Sequence, residues 1–207
     1  MDKNIIYTVG HSNYTFETFL KIVTSYGIQY IVDVRSYPYS NYCPHFNREE
    51  LKELLKQNGV SYLFMGDNLG ARPKDRNCYI SGKVDFEILK ETESFKAGIF
   101  RLKDALNRKL ALALMCSEKE PINCHRAILI SRVLKEEGCE VLHILDADST
   151  CSQQEIETEL QKKFHLEPLL FDTENSAEDR TIEAYKMQEE KITYSDSKER
   201  EKVESRY

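Results

Sequence analysis

The sequence predicts an α/β protein with a mainly parallel sheet of about five strands, covered by helices on both faces. Short apolar runs alternate with longer segments of helical periodicity, which is the pattern of parallel strands joined by helical crossovers. The strand candidates are almost continuously apolar, as strands buried on both faces require. Glycine follows three of the helical segments, where it commonly ends a helix.

Five strands are predicted from β-favouring runs that end in polar or glycine-containing turns. They are Ile5–Val9, Tyr30–Val34, Val60–Phe64, Leu110–Met115 and Glu140–Leu145. Helices are predicted between and after them from apolar residues at helical spacing. They cover Phe16–Tyr26, Arg48–Gln57, Asp85–Asn107 in one or two pieces, Ala127–Glu137 and Ser152–Lys163. Residues 71–84 are predicted to form a loop.

Composition indicates one domain with an appendage. The chain has 207 residues, of which 41% are hydrophobic and 31% charged, an ordinary profile for a soluble protein. We expect a single α/β domain over residues 1–168 and a charged tail over 169–207. From Phe171 onward, eleven acidic residues stand against seven basic ones without apolar periodicity, so the tail is expected to be helical or disordered.

The cellular location is inferred from what the sequence lacks. No apolar run approaches the length of a membrane span, and the first residues lack the layout of a signal peptide. We therefore expect a cytoplasmic protein that does not bind membranes. Six cysteines are too few for a disulfide scaffold, so thiols are expected. The net charge of −6 argues against a general nucleic-acid coat but allows a local basic cleft.

Polar motifs follow four of the predicted strands, where α/β proteins keep their binding sites. In chain order they are His11, Ser12 and Asn13; Asp33, Arg35 and Ser36; Gly70; and the segment 116–126. Because the carboxyl ends of parallel strands share one edge of the sheet, we expect these residues to form a single rim.

The segment 116–126 carries the most candidate chemistry. Cys116 could be a nucleophile whose thiolate is favoured by Arg126 or by a protonated His125. Alternatively, Cys116 is a small buried residue that finishes the strand. Glu118 and His125 are candidates for proton transfer, although His125 could instead brace the loop. Arg126 is expected to clamp an anion, the alternative being a structural ion pair with Asp33 or Glu118.

The first two strand ends offer further candidates. Asp33 and Arg35 are two residues apart, so on a strand they share a face. Asp33 could orient His11 or Arg126, and Arg35 could meet an anion; a structural ion pair between the two is the alternative. His11 is a candidate for proton transfer. The turn at residues 10–13, with Ser12 and Asn13, could hold a phosphate through its amides and hydroxyl.

The loop at residues 37–46 is rich in aromatic residues and lies beside cations, with Arg72 expected nearby. Aromatic rings next to cations suit stacking on a base and contact with its phosphate. The alternative is a loop packed on itself, with tyrosines that bridge core and water. Nucleotides and nucleic acid are therefore candidate partners.

A metal site is the remaining alternative at the rim. Cys116, Glu118, Cys124 and His125, together with His11, could supply ligands for zinc or iron. The spacing of the two cysteines lacks the Cys-x-x-Cys pattern of structural zinc sites. The sequence therefore does not favour a metal; if one is bound, the first four residues are its expected ligands.

The strand-end motifs together resemble the family known as domain of unknown function 488. The matching pieces are Gly10-His-Ser-Asn13, Asp33-Val-Arg35 with Pro38 and Ser40, Phe46-Asn47, Leu69-Gly70 and Cys116-x-Glu118-x-x-Pro121-x-x-Cys124-His-Arg126. The resemblance spans about residues 4–146 and implies no particular reaction. The Asp-Val-Arg strand end is also similar to rhodaneses and cysteine-dependent phosphatases, but more residues separate Cys116 from Arg126 than in those enzymes. That likeness is architectural only.

The residues favour an enzyme with a strand-end pocket for an anionic ligand, such as a nucleotide, a phosphate ester or a nucleic-acid end. Hydrolytic or transfer chemistry is expected, because the sequence has no Gly-x-Gly-x-x-Gly dinucleotide motif. One alternative is a non-catalytic nucleotide or nucleic-acid binding module, in which Cys116 is unreactive. A second alternative is a metal- or redox-sensing protein.

Overall fold

The computed structural model describes residues 5–167 and 177–195, which contain eight strands and eight α-helices. The strands are β1 (Ile5–Gly10), β2 (Tyr30–Asp33), β3 (Ser61–Phe64), β4 (Tyr79–Ile80), β5 (Lys83–Val84), β6 (Leu112–Cys116), β7 (Glu140–Ile144) and β8 (Thr150–Ser152). The helices are α1 (Phe16–Ser25), α2 (Arg48–Gln57), α3 (Gly66–Leu69), α4 (Phe86–Glu91), α5 (Glu93–Asn107), α6 (Arg132–Glu136), α7 (Gln153–Lys163) and α8 (Ala177–Ile192).

The main sheet has six strands in the order β3-β2-β6-β1-β7-β8. Its first five strands are parallel, and the short β8 runs antiparallel to β7 at the edge. The predicted fold class and its five parallel strands are thus confirmed. The central strand β6 is buried at all five of its residues, which explains its unbroken apolar run.

Helices cover both faces of the sheet, as predicted. Leu112 and Leu114 of β6 point into one buried cluster, which also contains residues of α5, α6, α7 and α8. Ala113 and Met115 point to the opposite face and pack with residues of α1 and α2. This alternation follows from the two-residue period of a strand.

Some local features depart from the sequence prediction. The predicted loop 71–84 contains the β4–β5 hairpin, and β8 was not expected. The segment predicted as one helix from Ala127 begins instead with a π-helical turn, Arg126–Ser131, before α6. The hydroxyl of Ser131 donates to the carbonyl oxygen of Arg126 at 2.6 Å and supports this wider turn. Such turns occur frequently at functional sites.

The acidic tail contributes a packed helix. Helix α8 contacts α7 and buries Ala184, Tyr185 and Gln188 on one side. The amide of Gln188 donates to the carbonyl oxygen of Ile122 at 2.8 Å, which ties α8 to the loop after β6. A helix was one of the expected forms of the tail, but it is only partly exposed to solvent. The rest of the predicted tail, residues 169–176 and 196–207, lies outside the described residues, and the boundary at residue 168 stays a prediction.

None of the helices in the described parts of the chain is both long and apolar enough to cross a membrane.

Candidate functional site at the strand ends

The carboxyl ends of β2, β6 and β1 lie side by side, because these strands are neighbours in the sheet. Gly10 pairs with Cys116, and Asp33 pairs with Met115. The pairing continues past the strand ends, since the backbone N–H of His11 donates to the carbonyl oxygen of Cys116 at 2.9 Å. The polar residues that follow the three strands therefore meet at one rim.

The loop after β6 is fixed on two sides. It packs on the end of β1, where a Cβ atom added to Gly10 would lie 1.9 Å from the carbonyl oxygen of Glu118. From within the protein, the Nη1 and Nη2 atoms of Arg126 donate to the carbonyl oxygens of Glu118 and Lys119 at 2.5 and 2.8 Å. The backbone of this loop is therefore held in a single position.

The structure corrects the role expected for Arg126. Its side chain is 0% exposed, and its Nε atom donates to the hydroxyl of Thr8 in β1 at 3.3 Å. The guanidinium thus points into the protein and braces the loop through backbone carbonyls. It does not line the cavity described below, and among the described residues it forms no ion pair with the carboxylate of Asp33 or Glu118.

Cys116, Glu118, Cys124 and His125 converge at the end of β6, and we call them the Cys/Glu/His cluster. Four ligand-type atoms, one from each side chain, lie within 4.8 Å of one another. The Oε2 atom of Glu118 lies 3.0 Å from the sulfur of Cys116 and 3.1 Å from that of Cys124. The Nδ1 atom of His125 lies 3.6 and 3.9 Å from the same two sulfurs. Both cysteines are buried and free of disulfides.

The ring of His125 is oriented by the backbone. Its Nε2 atom lies 3.1 Å from the carbonyl oxygen of Val34, just after β2. A carbonyl oxygen only accepts hydrogen bonds, so Nε2 carries the proton, and in the neutral ring Nδ1 has the free lone pair. That lone pair faces the sulfurs of Cys116 and Cys124.

Mutual contact and burial shift the pKa values in the cluster. The hydrogen bond to Cys124 and burial raise the pKa of Cys116 well above its usual value. Burial by itself would raise the pKa of Cys124. The hydrogen bond to Cys116 and the charge of Arg126 have the larger effect, so the pKa of Cys124 lies well below its usual value. Glu118 faces the cavity, but partial desolvation of its carboxylate and the charge of Cys124 raise its pKa. Burial by itself would lower the pKa of His125, but contact with Cys124 raises it by more, so the pKa of His125 lies above its usual value. Cys124 is therefore the more acidic of the two thiols.

Asp33 and Arg35 form a buried bidentate ion pair, which was the structural alternative. The Nε and Nη2 atoms of Arg35 donate to the two carboxylate oxygens of Asp33 at 2.9 and 2.6 Å. Tyr62, which sequence reasoning missed, donates its hydroxyl to Asp33 at 2.7 Å. The carboxylate of Asp33 thus compensates most of the positive charge of Arg35. The Arg35 side chain also lines the cavity described below.

His11 is held as a neutral hydrogen-bond acceptor. Its Nδ1 atom lies 2.8 Å from the carbonyl oxygen of Ser12, so Nδ1 carries the proton. The Nη1 atom of Arg35 donates to Nε2 at 3.0 Å. Burial and the charge of Arg35 lower the pKa of His11 to about 4. Because its lone pair is already used, His11 is poorly suited to the proton transfer considered for it.

A cavity of about 420 Å³ opens above the Cys/Glu/His cluster. Cys116, Glu118 and His125 form what we call its floor. Arg72 and Lys191 are on its wall, as is Tyr37, whose side chain is 70% exposed. The cavity therefore combines thiol, carboxylate and imidazole groups with cations and an aromatic ring.

A segment of the acidic tail forms part of this wall. Residues 191–195 line the cavity, a role that sequence reasoning did not assign to them. The carbonyl oxygen of Tyr194 accepts from the N–H of Val84 at 3.1 Å, and Ser195 pairs with Lys83, so the segment extends the β4–β5 hairpin. The guanidinium of Arg72 stacks 4.4 Å from the ring of Tyr194. The β-favouring run at residues 192–194 was the available signal.

The remaining predicted site residues divide between two places. Ser36 lines the cavity, and its hydroxyl accepts from the backbone N–H of Arg72 at 2.9 Å. A Cβ atom on Gly70 would lie 2.4 Å from that hydroxyl, so Gly70 permits a close loop contact. Ser12 and Asn13 do not line the cavity, and the Ser12 hydroxyl donates to the Asn13 side chain at 3.3 Å.

Comparison with known families agrees with these motifs. The family model described as domain of unknown function DUF488 matches residues 15–133, which is more than half of the chain. The chain belongs to the DUF488 family. The matched region of this DUF488 protein includes the whole Cys/Glu/His cluster, whereas α8 and the cavity wall at residues 191–195 lie beyond it. No protein in the curated collection and no solved structure matches the chain.

Proposed function

We propose that this DUF488 protein is an enzyme that binds a small anionic ligand in the strand-end cavity and performs hydrolysis or group transfer on it. The observation that carries the proposal is the composition of the cavity. Arg72 and Lys191 stand on its wall, and Cys116, Glu118 and His125 form its floor. A ligand bound to the cations would lie against groups that can donate protons, accept them or attack.

A nucleotide or a nucleic-acid end is the ligand class that this cavity suits best, with simpler phosphate esters as the second choice. A volume of about 420 Å³ is within the usual range for small-molecule sites. The exposed ring of Tyr37 offers a stacking surface for a base. Arg72, stacked on Tyr194, presents a planar guanidinium for a phosphate. Arg35 is held by Asp33, so we assign the ligand to Arg72 and Lys191, the other two cations among the described residues that line the cavity.

Titration calorimetry with a nucleoside monophosphate and with inorganic phosphate tests the binding step. Replacing Arg72 by Gln should weaken both ligands, because both use the cation. Tyr37→Leu should weaken the nucleotide about tenfold, since stacking on one base contributes about 1–3 kcal/mol, and should leave phosphate unchanged. Tyr42→Leu is the matched control, because Tyr42 is 94% exposed and does not line the cavity.

A turnover assay distinguishes an enzyme from a non-catalytic binding module. A panel of phosphate esters and nucleotides, followed by phosphorus NMR, should reveal product in the wild type and none in Glu118→Gln. Binding without turnover across the panel would instead support a non-catalytic binding module. Absence of binding by either probe would refute the anionic-ligand proposal.

We also infer a cytoplasmic location. All six cysteines are free, which fits a reducing compartment. Fractionation of the native host, with the protein recovered from the soluble cytoplasmic extract, is the expected result.

A further inference from the structure

The Cys/Glu/His cluster offers four different side chains to one point in space. Cys116 and Cys124 supply sulfurs, Glu118 a carboxylate oxygen and His125 an imidazole nitrogen, all within 4.8 Å of one another. Thiolate and imidazole ligands with one carboxylate suit zinc, which prefers four ligands in a tetrahedron. Anion binding alone would not require two buried cysteines at this point.

The separations are close to those of a tetrahedral site. Bonds of about 2.0–2.3 Å place neighbouring ligand atoms about 3.3–3.8 Å apart at tetrahedral angles, and about 3.5 Å apart where one of the two atoms is sulfur. The Nδ1 atom of His125 lies 3.6 Å from the sulfur of Cys116 and 3.9 Å from that of Cys124. The carboxylate of Glu118 is nearer to both sulfurs, at 3.0 and 3.1 Å. An outward movement of about half an ångström by this one carboxylate would bring it to tetrahedral distances from the two sulfurs.

The surroundings of the cluster also fit a metal. Metal-binding histidines commonly donate their other ring N–H to a carbonyl or carboxylate, which fixes the ring and directs its lone pair. His125 makes this bond to the carbonyl oxygen of Val34. Two thiolates and a carboxylate would leave a zinc site with one net negative charge, and the buried guanidinium of Arg126 supplies a nearby positive charge.

We propose that Cys116, Glu118, Cys124 and His125 bind one zinc ion in a tetrahedral site at the floor of the cavity. The spacing Cys-x7-Cys-His disfavoured a metal in the sequence, but the loop after β6 folds back and brings the two cysteines together. Hydrogen bonds from the Arg126 side chain to two main-chain carbonyl oxygens hold the loop in that position.

Glu118 is the ligand that a water or a substrate oxygen would replace. It is exposed to the cavity, whereas both cysteines are buried. Catalytic zinc sites characteristically keep three protein ligands and one exchangeable position. This exchange role rests on the proposed function, but the binding of zinc does not. A bound zinc ion would supply a Lewis acid next to an anion held by Arg72 and Lys191.

Metal analysis of the full chain, purified without chelator and dialysed against buffer with a small excess of zinc, tests the site. We expect one zinc per chain in the wild type and a loss of at least tenfold in affinity in Cys124→Ser. Cys139→Ser is the matched control, because Cys139 is a free thiol outside the cluster and should leave the stoichiometry at one. Glu118→Gln changes a side chain exposed to the cavity and should also weaken zinc binding without unfolding the protein.

Cobalt substitution provides a second measurement. Cobalt in the wild type should give the intense visible bands of a tetrahedral ion and a thiolate-to-cobalt charge-transfer band. Cys124→Ser should weaken the charge-transfer band, and Cys139→Ser should not. Circular dichroism of each variant establishes that the chain is folded.

Three outcomes would overturn the zinc proposal. They are a folded wild type that takes up no metal, equal zinc affinity in Cys124→Ser and Cys139→Ser, and iron bound in preference when both metals are supplied. Failure of the proposed function is recognisable separately. If the protein binds one zinc per chain but neither phosphate nor nucleotide, the zinc proposal holds and the anionic-ligand proposal is wrong.

Discussion

The Nε2 atom of His125 lies 3.1 Å from the carbonyl oxygen of Val34. This bond joins the loop after β6 to the end of β2, and it fixes which ring nitrogen is available to other groups. The free Nδ1 atom faces the sulfurs of Cys116 and Cys124. The ring is therefore oriented by the backbone and not by the metal that we propose.

We predict that the metal is bound through Nδ1 of His125. In protein loaded with cadmium-113 and labelled with nitrogen-15, scalar coupling to cadmium should appear at Nδ1, while Nε2 keeps its proton because it donates to Val34. His125→Asn should lose this coupling. Coupling observed at Nε2 would contradict the orientation that the structure gives.

Gly10→Ala should damage both stability and the metal site. The new Cβ would lie 1.9 Å from the carbonyl oxygen of Glu118, so the loop that carries this ligand must move. Overpacking of this kind costs about 1–3 kcal/mol of unfolding free energy. Urea unfolding and metal analysis measure the two effects.

Gly27→Ala provides the control for that substitution. Gly27 has a φ of +66°, so alanine is strained there, but the added Cβ would meet nothing within 4 Å. We expect a loss of about 1 kcal/mol with zinc stoichiometry unchanged. A Gly10→Ala variant that binds zinc as tightly as Gly27→Ala would show that the loop does not depend on its contact with β1.

Arg126→Lys should be strongly destabilising although the charge is kept. Lysine cannot reproduce the planar fork that donates to the carbonyl oxygens of Glu118 and Lys119. At least one buried carbonyl would lose its partner, which costs about 1–3 kcal/mol. Arg132→Lys is the comparison, because Arg132 pairs with the more exposed carboxylates of Glu87 and Glu136 and should lose less. If Arg126→Lys keeps its stability but binds the nucleotide more weakly, Arg126 contacts the ligand, contrary to this prediction.

Stability should fall as the pH decreases from 6.5 to about 4. Burial is the main cause that lowers the pKa of both His11 and His143 to about 4 in the folded protein. Between these pH values the unfolded chain binds protons that the folded chain does not, so acid favours unfolding. Each histidine contributes a loss of about 3 kcal/mol by pH 4, and below its folded pKa the loss stops growing.

Urea unfolding at several pH values checks this dependence. His143→Gln should reduce its slope, because Nδ1 of His143 accepts from Thr8 and Nε2 donates to Gln153, and glutamine does not titrate. His165→Asn, at an exposed position, should leave the slope unchanged. An equal slope in all three proteins would show that His143 is not the group responsible.

Most of the fold was predictable because a parallel strand that is buried on both faces has an almost unbroken run of apolar residues. The run at 112–116 is apolar throughout, and Gly27, Gly59 and Gly138 mark helix ends where the backbone has positive φ. Strand β8 has three residues and the β4–β5 hairpin two on each side. Segments this short show too few periods for a pattern to be read.

The sequence by itself determined the α/β class, the family, and the edge of the sheet where the polar motifs collect. These properties follow from local patterns and from the shared direction of parallel strands. Tertiary structure decided which side chains meet. Arg126 turns inward because backbone carbonyls of the loop lie there, and Cys116 and Cys124 converge because that loop folds back on Gly10. Such contacts depend on the path of a loop in space, which residue spacing does not encode.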